Sequence, residues 1–88
     1  MIIKDIRDVK TNKTRTDGRY PDRIGSEVDL LYTPVSGVVT YFIYKKDNKG
    51  NRKDGTLRTS TVTNVEYRDG DVIITTLNSI YHLTEENI

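Results

Sequence analysis

The chain has no cysteine, so disulfides, thiolate metal sites and a cysteine nucleophile are excluded at the outset. Its single histidine, His82, cannot build a Zn²⁺ site that needs several imidazoles. No metal or cofactor is expected on these grounds. Alanine and glutamine are absent too, which leaves poor material for long helices. Long apolar runs are missing: the longest is Tyr41-Phe42-Ile43-Tyr44, far short of the ~20 residues that span a bilayer. The start, Met1-Ile2-Ile3-Lys4-Asp5, lacks the apolar stretch of a signal peptide. The expectation is a soluble cytoplasmic domain with no membrane partner.

What is present favours strands. Val, Ile, Thr, Tyr and Phe make up 36 of 88 residues, and such side chains fit a pleated, half-buried surface better than a helix. The length allows one small domain, which buries only about 60–65% of the surface its unfolded chain exposes. The fold expected is all-β: a small, strongly bent antiparallel barrel of five or six strands over residues 1–88, SH3-like first and OB-like second. Closure would remove the open edges that invite aggregation.

Residues 2–9 are ambiguous. Ile2, Ile6 and Val9 fit one helical face, whereas Ile2, Lys4 and Ile6 alternate as in a strand; composition tips the choice to a strand. Residues 10–23 form a long polar loop with turn signals at Asp17-Gly18 and Tyr20-Pro21. Residues 24–33 read as a strand, Pro34 and Gly37 as a turn, and Val38 to Lys46 as a strand apolar on both faces and therefore central. Residues 47–55 are a second flexible loop. Thr56 to Arg68 reads as one strand with a β-bulge between Val62 and Val65. Asp69-Gly70 suits a two-residue type I′ hairpin, which sets Tyr67 opposite Val72, Val65 opposite Ile74, and Arg68 opposite Asp71. Asn78-Ser79 interrupts the next strand, Ile80 to Leu83 resumes it, and residues 84–88 are a frayed charged tail.

Charge is unevenly placed. Residues 1–23 carry +3, 24–44 carry −2, 45–58 carry +4 and 59–88 carry −4. The 45–58 segment is therefore a candidate phosphate-contacting loop, in which Lys45, Lys46, Lys49, Arg52 and Lys53 would follow a nucleic-acid backbone while Tyr44 (or Tyr41) offers a ring for base stacking. Against this, nucleic-acid domains tend to a pI above ~9, and this chain sits near 7.9. The 17–23 segment is a candidate protein-binding loop in which Arg19, Tyr20 and Arg23 are the residue types of interface hot spots. The plain alternative has Tyr20 folded back on the sheet and the two arginines paired with Asp17 and Asp22.

Catalysis has little to stand on. No Gly-x-Ser-x-Gly elbow accompanies His82. Asp69 and Asp71 are explained by their hairpin, with Asp71 facing Arg68. Lys49-Gly50-Asn51 lacks the remaining glycines and the following helix of a phosphate loop. No catalytic residue is assigned, and a non-enzymatic role is expected.

The run Arg58-Thr59-Ser60-Thr61-Val62, a short hairpin, and then Thr76-Leu77-Asn78-Ser79-Ile80-Tyr81 resembles the closing portion of small uncharacterised β proteins encoded by phages and mobile elements of bacteria. The resemblance implies an accessory role: binding a host protein, including a component of a defence system, and modulating or inhibiting it. It implies no activity and no site residues. The functions to be weighed are a module that binds a host or phage protein, a nucleic-acid-binding barrel, and a nucleotide-binding oligomer, with a homodimer through a sheet edge open in each case.

Overall fold

The computed structural model of the protein describes residues 1–85. Seven strands are joined in one antiparallel sheet: β1 (Ile2–Asp8), β2 (Glu27–Leu30), β3 (Tyr41–Lys46), β4 (Thr56–Arg58), β5 (Val62–Arg68), β6 (Asp71–Thr76) and β7 (Ser79–Thr84). A single turn of helix, α1 (Tyr20–Arg23), interrupts the first long loop. The spatial order is β4-β3-β2-β1-β7-β6-β5. The fold is all-β, with seven strands rather than five or six.

The sheet is not a closed barrel. Strand pairing leaves β4 and β5 as its two edges. A flat sheet of seven strands would hold those edges roughly 29 Å apart. Yet only Thr59, Ser60 and Thr61 connect them, a span of at most about 14 Å between Arg58 and Val62. The sheet must therefore curl until the edges approach at that end. Instead of a strand, residues 37–40 bridge the gap: Gly37 N donates to Val62 O at 2.8 Å, Val62 N to Val38 O at 2.8 Å, and Thr59 N to Thr40 O at 2.9 Å.

The core lies inside the curl. Ile3, Ile6, Val28, Phe42, Tyr44, Leu57, Val62, Val72, Ile74, Tyr81 and Leu83 form one buried cluster. Phe42 meets Tyr81 edge to face with centroids 5.2 Å apart. Strand alternation would put Ile3 and Ile6 on opposite faces. A register shift between Ile3 and Asp5 inserts the extra residue that lets both point inward. Residues 2–9 thus resolve as a strand that ends at Asp8.

The Asp69-Gly70 hairpin has the expected form, with φ of 42° and 85°. Its pairs are Tyr67 with Val72, Val65 with Ile74 and Arg68 with Asp71, and the shift between Val62 and Asn64 is the expected bulge. Four other expectations are corrected. Thr56 to Arg68 is two strands on opposite edges, because the hydroxyl-rich residues 59–61 carry the crossing. Residues 77–78 do not bend a strand but reverse it, with Thr76 Oγ1 donating to Ser79 O at 2.9 Å and accepting from Ser79 N at 3.0 Å. The third strand begins at Tyr41 rather than Val38, and Val38 is exposed. Nor is β3 buried on two faces: Phe42 and Tyr44 are buried while Tyr41 and Ile43 are only half-covered, with the Tyr32 ring standing edge-on to Tyr41, centroids 6.3 Å apart.

Thr84 closes β7, and Glu85 N still reaches Gly70 O at 3.2 Å. The rest of the expected frayed tail, residues 86–88, lies outside the described residues. Among the described residues no helix is long and apolar enough to cross a membrane.

Candidate functional site: a basic cleft between two loops

The first wall is built from the 10–23 loop. Asp17 takes both Arg15 Nε at 3.2 Å and Arg15 Nη2 at 3.0 Å. That hydrogen bonding holds the Asp17 carboxyl below its ordinary range. Arg15 Nη1 reaches on to Asn78 O at 3.1 Å and Ser79 Oγ at 3.0 Å, tying the loop to the β6–β7 turn. Pro21, with its fixed φ, suits the first turn of α1, and Ile24 N closes that turn on Tyr20 O at 3.1 Å. The Arg15 guanidinium stands 4.3 Å and the Arg23 guanidinium 5.3 Å from the Tyr20 ring centroid.

The second wall is the hairpin between β3 and β4. Asp47 Oδ1 accepts Lys49 N at 2.9 Å and Asn51 N at 2.9 Å, and Lys53 N donates to Lys45 O at 3.0 Å. Those contacts, with the Asn51 N–H foremost, hold the Asp47 carboxyl below its ordinary range. Lys53 folds its ammonium to 4.0 Å from the Tyr44 ring centroid. Burial raises the Tyr44 phenol, with Arg23 pulling the other way. Deeper in the core, burial pushes the Tyr81 phenol up to about 12.

The two walls meet at Gly25 and Asn48. Gly25 has φ +93°, and a Cβ there would stand 3.0 Å from Asn48 Cβ. Asn48 Nδ2 also donates to Pro21 O at 3.4 Å. Segments 19–23 and 45–57 therefore share one face. Between them lies a cleft of about 270 Å³ lined by Arg19, Asp22, Arg23, Tyr44, Lys53 and the stretch Asp54 to Leu57. Across Lys53 it runs into a wider groove that includes Lys45, Lys46 and Arg52.

The expected site residues are divided by this geometry. Arg19, Arg23 and Lys53 face the cleft, and among the described residues none of the three makes an ion pair. Lys49 lies beside them, in a hollow shared with Asp22, Asp47, Asn48 and Lys53. Lys45 is 3.7 Å from Asp29 and 3.9 Å from Glu27, Lys46 is 3.9 Å from Glu27, and Arg52 is 3.4 Å from Asp54. Tyr20 is half-buried against the core rather than displayed as an anchor. Tyr44 is 9% exposed beneath Lys53, so its ring offers no open face for a base. The alternative pairing of Arg19 and Arg23 with Asp17 and Asp22 is not formed, because Arg15 holds Asp17.

His82 Nε2 contacts Asp71 Oδ2 at 2.8 Å, and the Asp71 carboxyl is held low chiefly by that hydrogen bond. Arg68 stands opposite Asp71 in the register, as expected, and its guanidinium turns to Glu66 at 2.7 Å. Among the described residues no group of three or more His, Asp or Glu side chains is placed to hold a metal ion.

One surface escaped the sequence. Leu31, Tyr32, Val35 and Val38 are between 41% and 53% exposed along the connection from β2 to β3. The signal was there in Pro34 and Gly37, which break the segment, but the apolar residues around them suited strands equally well. No family model matches the chain, and no curated protein or solved structure does so either.

Proposed function

We propose that the protein is a small non-enzymatic interaction module that holds an acidic segment of a partner protein in the cleft between residues 19–23 and 45–57. The observation that carries this is the convergence on one concavity of Arg19, Arg23 and Lys53, three cations that make no ion pair among the described residues. Unpaired cations at a shared face favour an anionic partner and speed its encounter. The exposed apolar stretch from Leu31 to Val38 supplies further surface of the kind that protein partners cover. In keeping with the resemblance of the C-terminal third to phage and mobile-element proteins, the partner is taken to be a host protein in the bacterial cytoplasm whose action is modulated or inhibited. We read the curled sheet, unclosed between β4 and β5, as a variant of an SH3-like barrel first and of an OB-like one second.

A nucleic-acid partner is less favoured. Lys45, Lys46 and Arg52 stand near carboxylates, and Tyr44 is covered. The two partners are separated by titrating the protein with a glutamate-rich peptide and with single- and double-stranded oligonucleotides, at about 50 mM and about 200 mM salt. The peptide is expected to bind, and the double variant Arg19→Glu/Lys53→Glu to lose that binding while keeping its circular dichroism spectrum. Oligonucleotide binding that falls steeply with salt, with no response to the peptide, would replace the protein partner with a nucleic acid.

A further inference from the structure

We infer that the cleft bounded by Arg19, Arg23 and Lys53 is a receptor for one phosphomonoester group, a refinement that rests on this face being a binding surface. Size points to a head group rather than a whole molecule. The cleft measures about 270 Å³, below the ~300–1,000 Å³ of pockets that enclose complete small ligands.

Donor chemistry points to a tetrahedral oxyanion. A guanidinium presents its N–H groups in a planar fork that matches phosphate oxygens, and the cleft is lined by two of them with an ammonium beside them. Two of these cations are positioned by aromatic rings. Lys53 rests against the Tyr44 ring and Arg23 against the Tyr20 ring, at 4.0 Å and 5.3 Å from the centroids. A ring face orients a cation while leaving its outward N–H donors unspent. Thr56 and Tyr44 line the same space.

Charge then separates phosphate from carboxylate. Asp22 and Asp54 also line the cleft, but Arg52 sits 3.4 Å from Asp54 and offsets it. Arg19, Arg23 and Lys53 against Asp22 leave a surplus of two positive charges. A phosphomonoester carries about −1.5 to −2 at neutral pH and matches that surplus, whereas a single carboxylate meets only half of it.

The test is an amide-resolved NMR titration at constant ionic strength with four probes: inorganic phosphate, a phosphoserine peptide, ribose 5-phosphate and the glutamate-rich peptide. The phosphomonoester probes are expected to shift the amides of residues 19–23 and 53–57, with affinity falling as the pH drops below about 6 and the ester dianion is lost. Arg19→Gln and Lys53→Gln should each weaken binding about tenfold or more, and Lys13→Gln, which removes a charge outside the cleft, should not. A tighter phosphoserine peptide assigns the group to a modified protein, and a tighter ribose 5-phosphate assigns it to a small ester. Equal loss from Lys13→Gln and Lys53→Gln would reduce the effect to general electrostatics and overturn the inference. Binding of the glutamate-rich peptide alone would overturn it while leaving the acidic partner in place, and silence from all four probes would remove both.

Discussion

The Lys53 ammonium stands 4.0 Å from the centroid of the Tyr44 ring, and this contact joins the core of the sheet to the mouth of the cleft. Tyr44 is the scaffold of the pair, buried in the cluster with Phe42 and Leu57. Lys53, held against that ring, is the half of the pair that lines the cleft beside Arg19 and Arg23.

The two halves should therefore separate in stability measurements. Lys53→Met forfeits a partly exposed cation–π contact and is expected to cost no more than about 1 kcal/mol. Tyr44→Ala empties a core position and is expected to cost about 3–5 kcal/mol. Urea unfolding of both variants checks this, and equal losses would make Lys53 a structural residue.

Gly25 is the joint between the two walls. Alanine there meets both a left-handed backbone and an Asn48 Cβ only 3.0 Å away. Gly25→Ala should cost roughly 1–3 kcal/mol and also weaken anion binding, although Gly25 does not line the cleft. Gly37→Ala is the matched comparison, with φ +99° and nothing within 4 Å of the added Cβ. It should lose stability and leave binding unchanged, as read by thermal unfolding and the phosphate titration.

Thr40 is fully buried, and its hydroxyl has no hydrogen-bond partner among the described residues. Replacing an orphaned hydroxyl by a methyl removes a desolvation penalty of about 1–3 kcal/mol. Thr40→Val should thus raise stability by about 1 kcal/mol, a gain of roughly 4–8 °C in Tm for a domain of this size. Thr40→Ser keeps the hydroxyl and loses the methyl, so it should lower Tm. A lower Tm for Thr40→Val would place a hydrogen-bonding partner at that hydroxyl.

Acid should loosen the loop after β3. Backbone N–H groups favour the charged form of Asp47, so its carboxyl titrates lower folded than unfolded. A group depressed in this sense stabilises fully above the unfolded aspartate pKa of about 4, and the benefit drains as pH falls through the lower folded value. Carboxyl NMR should place the Asp47 midpoint below that of an unfolded peptide. The stability gap between the native chain and Asp47→Ala should close as the pH falls to about 2; a gap that persists there would assign the loop's stability to other contacts.

Much of the fold was written locally. Side-chain branching fixed the all-β class, and Asp69-Gly70 fixed a hairpin whose pairs, Tyr67 with Val72 and Val65 with Ile74, follow by counting outward from the turn. The candidate residues Arg19, Arg23 and Lys53 were likewise visible as cations in turn-rich segments.

Tertiary structure decided the rest, because strand periodicity says which side chains share a face and never which strand comes next to it. Thr56 to Arg68 reads as one strand, and only the curl of the sheet sends its halves to opposite edges. Asp71 faces Arg68 in the register, yet its carboxylate turns to His82 on a neighbouring strand. Val38 alternates correctly with Phe42 and is nevertheless exposed, since residues 37–40 are needed to bridge β5 and the β3–β4 side. The cleft itself follows from one close approach, Gly25 to Asn48, across 23 positions of chain. Sequence alone determined what each segment prefers to be; which segments touch depended on how one small core could be covered, a constraint shared by the whole chain and carried by no single stretch of it.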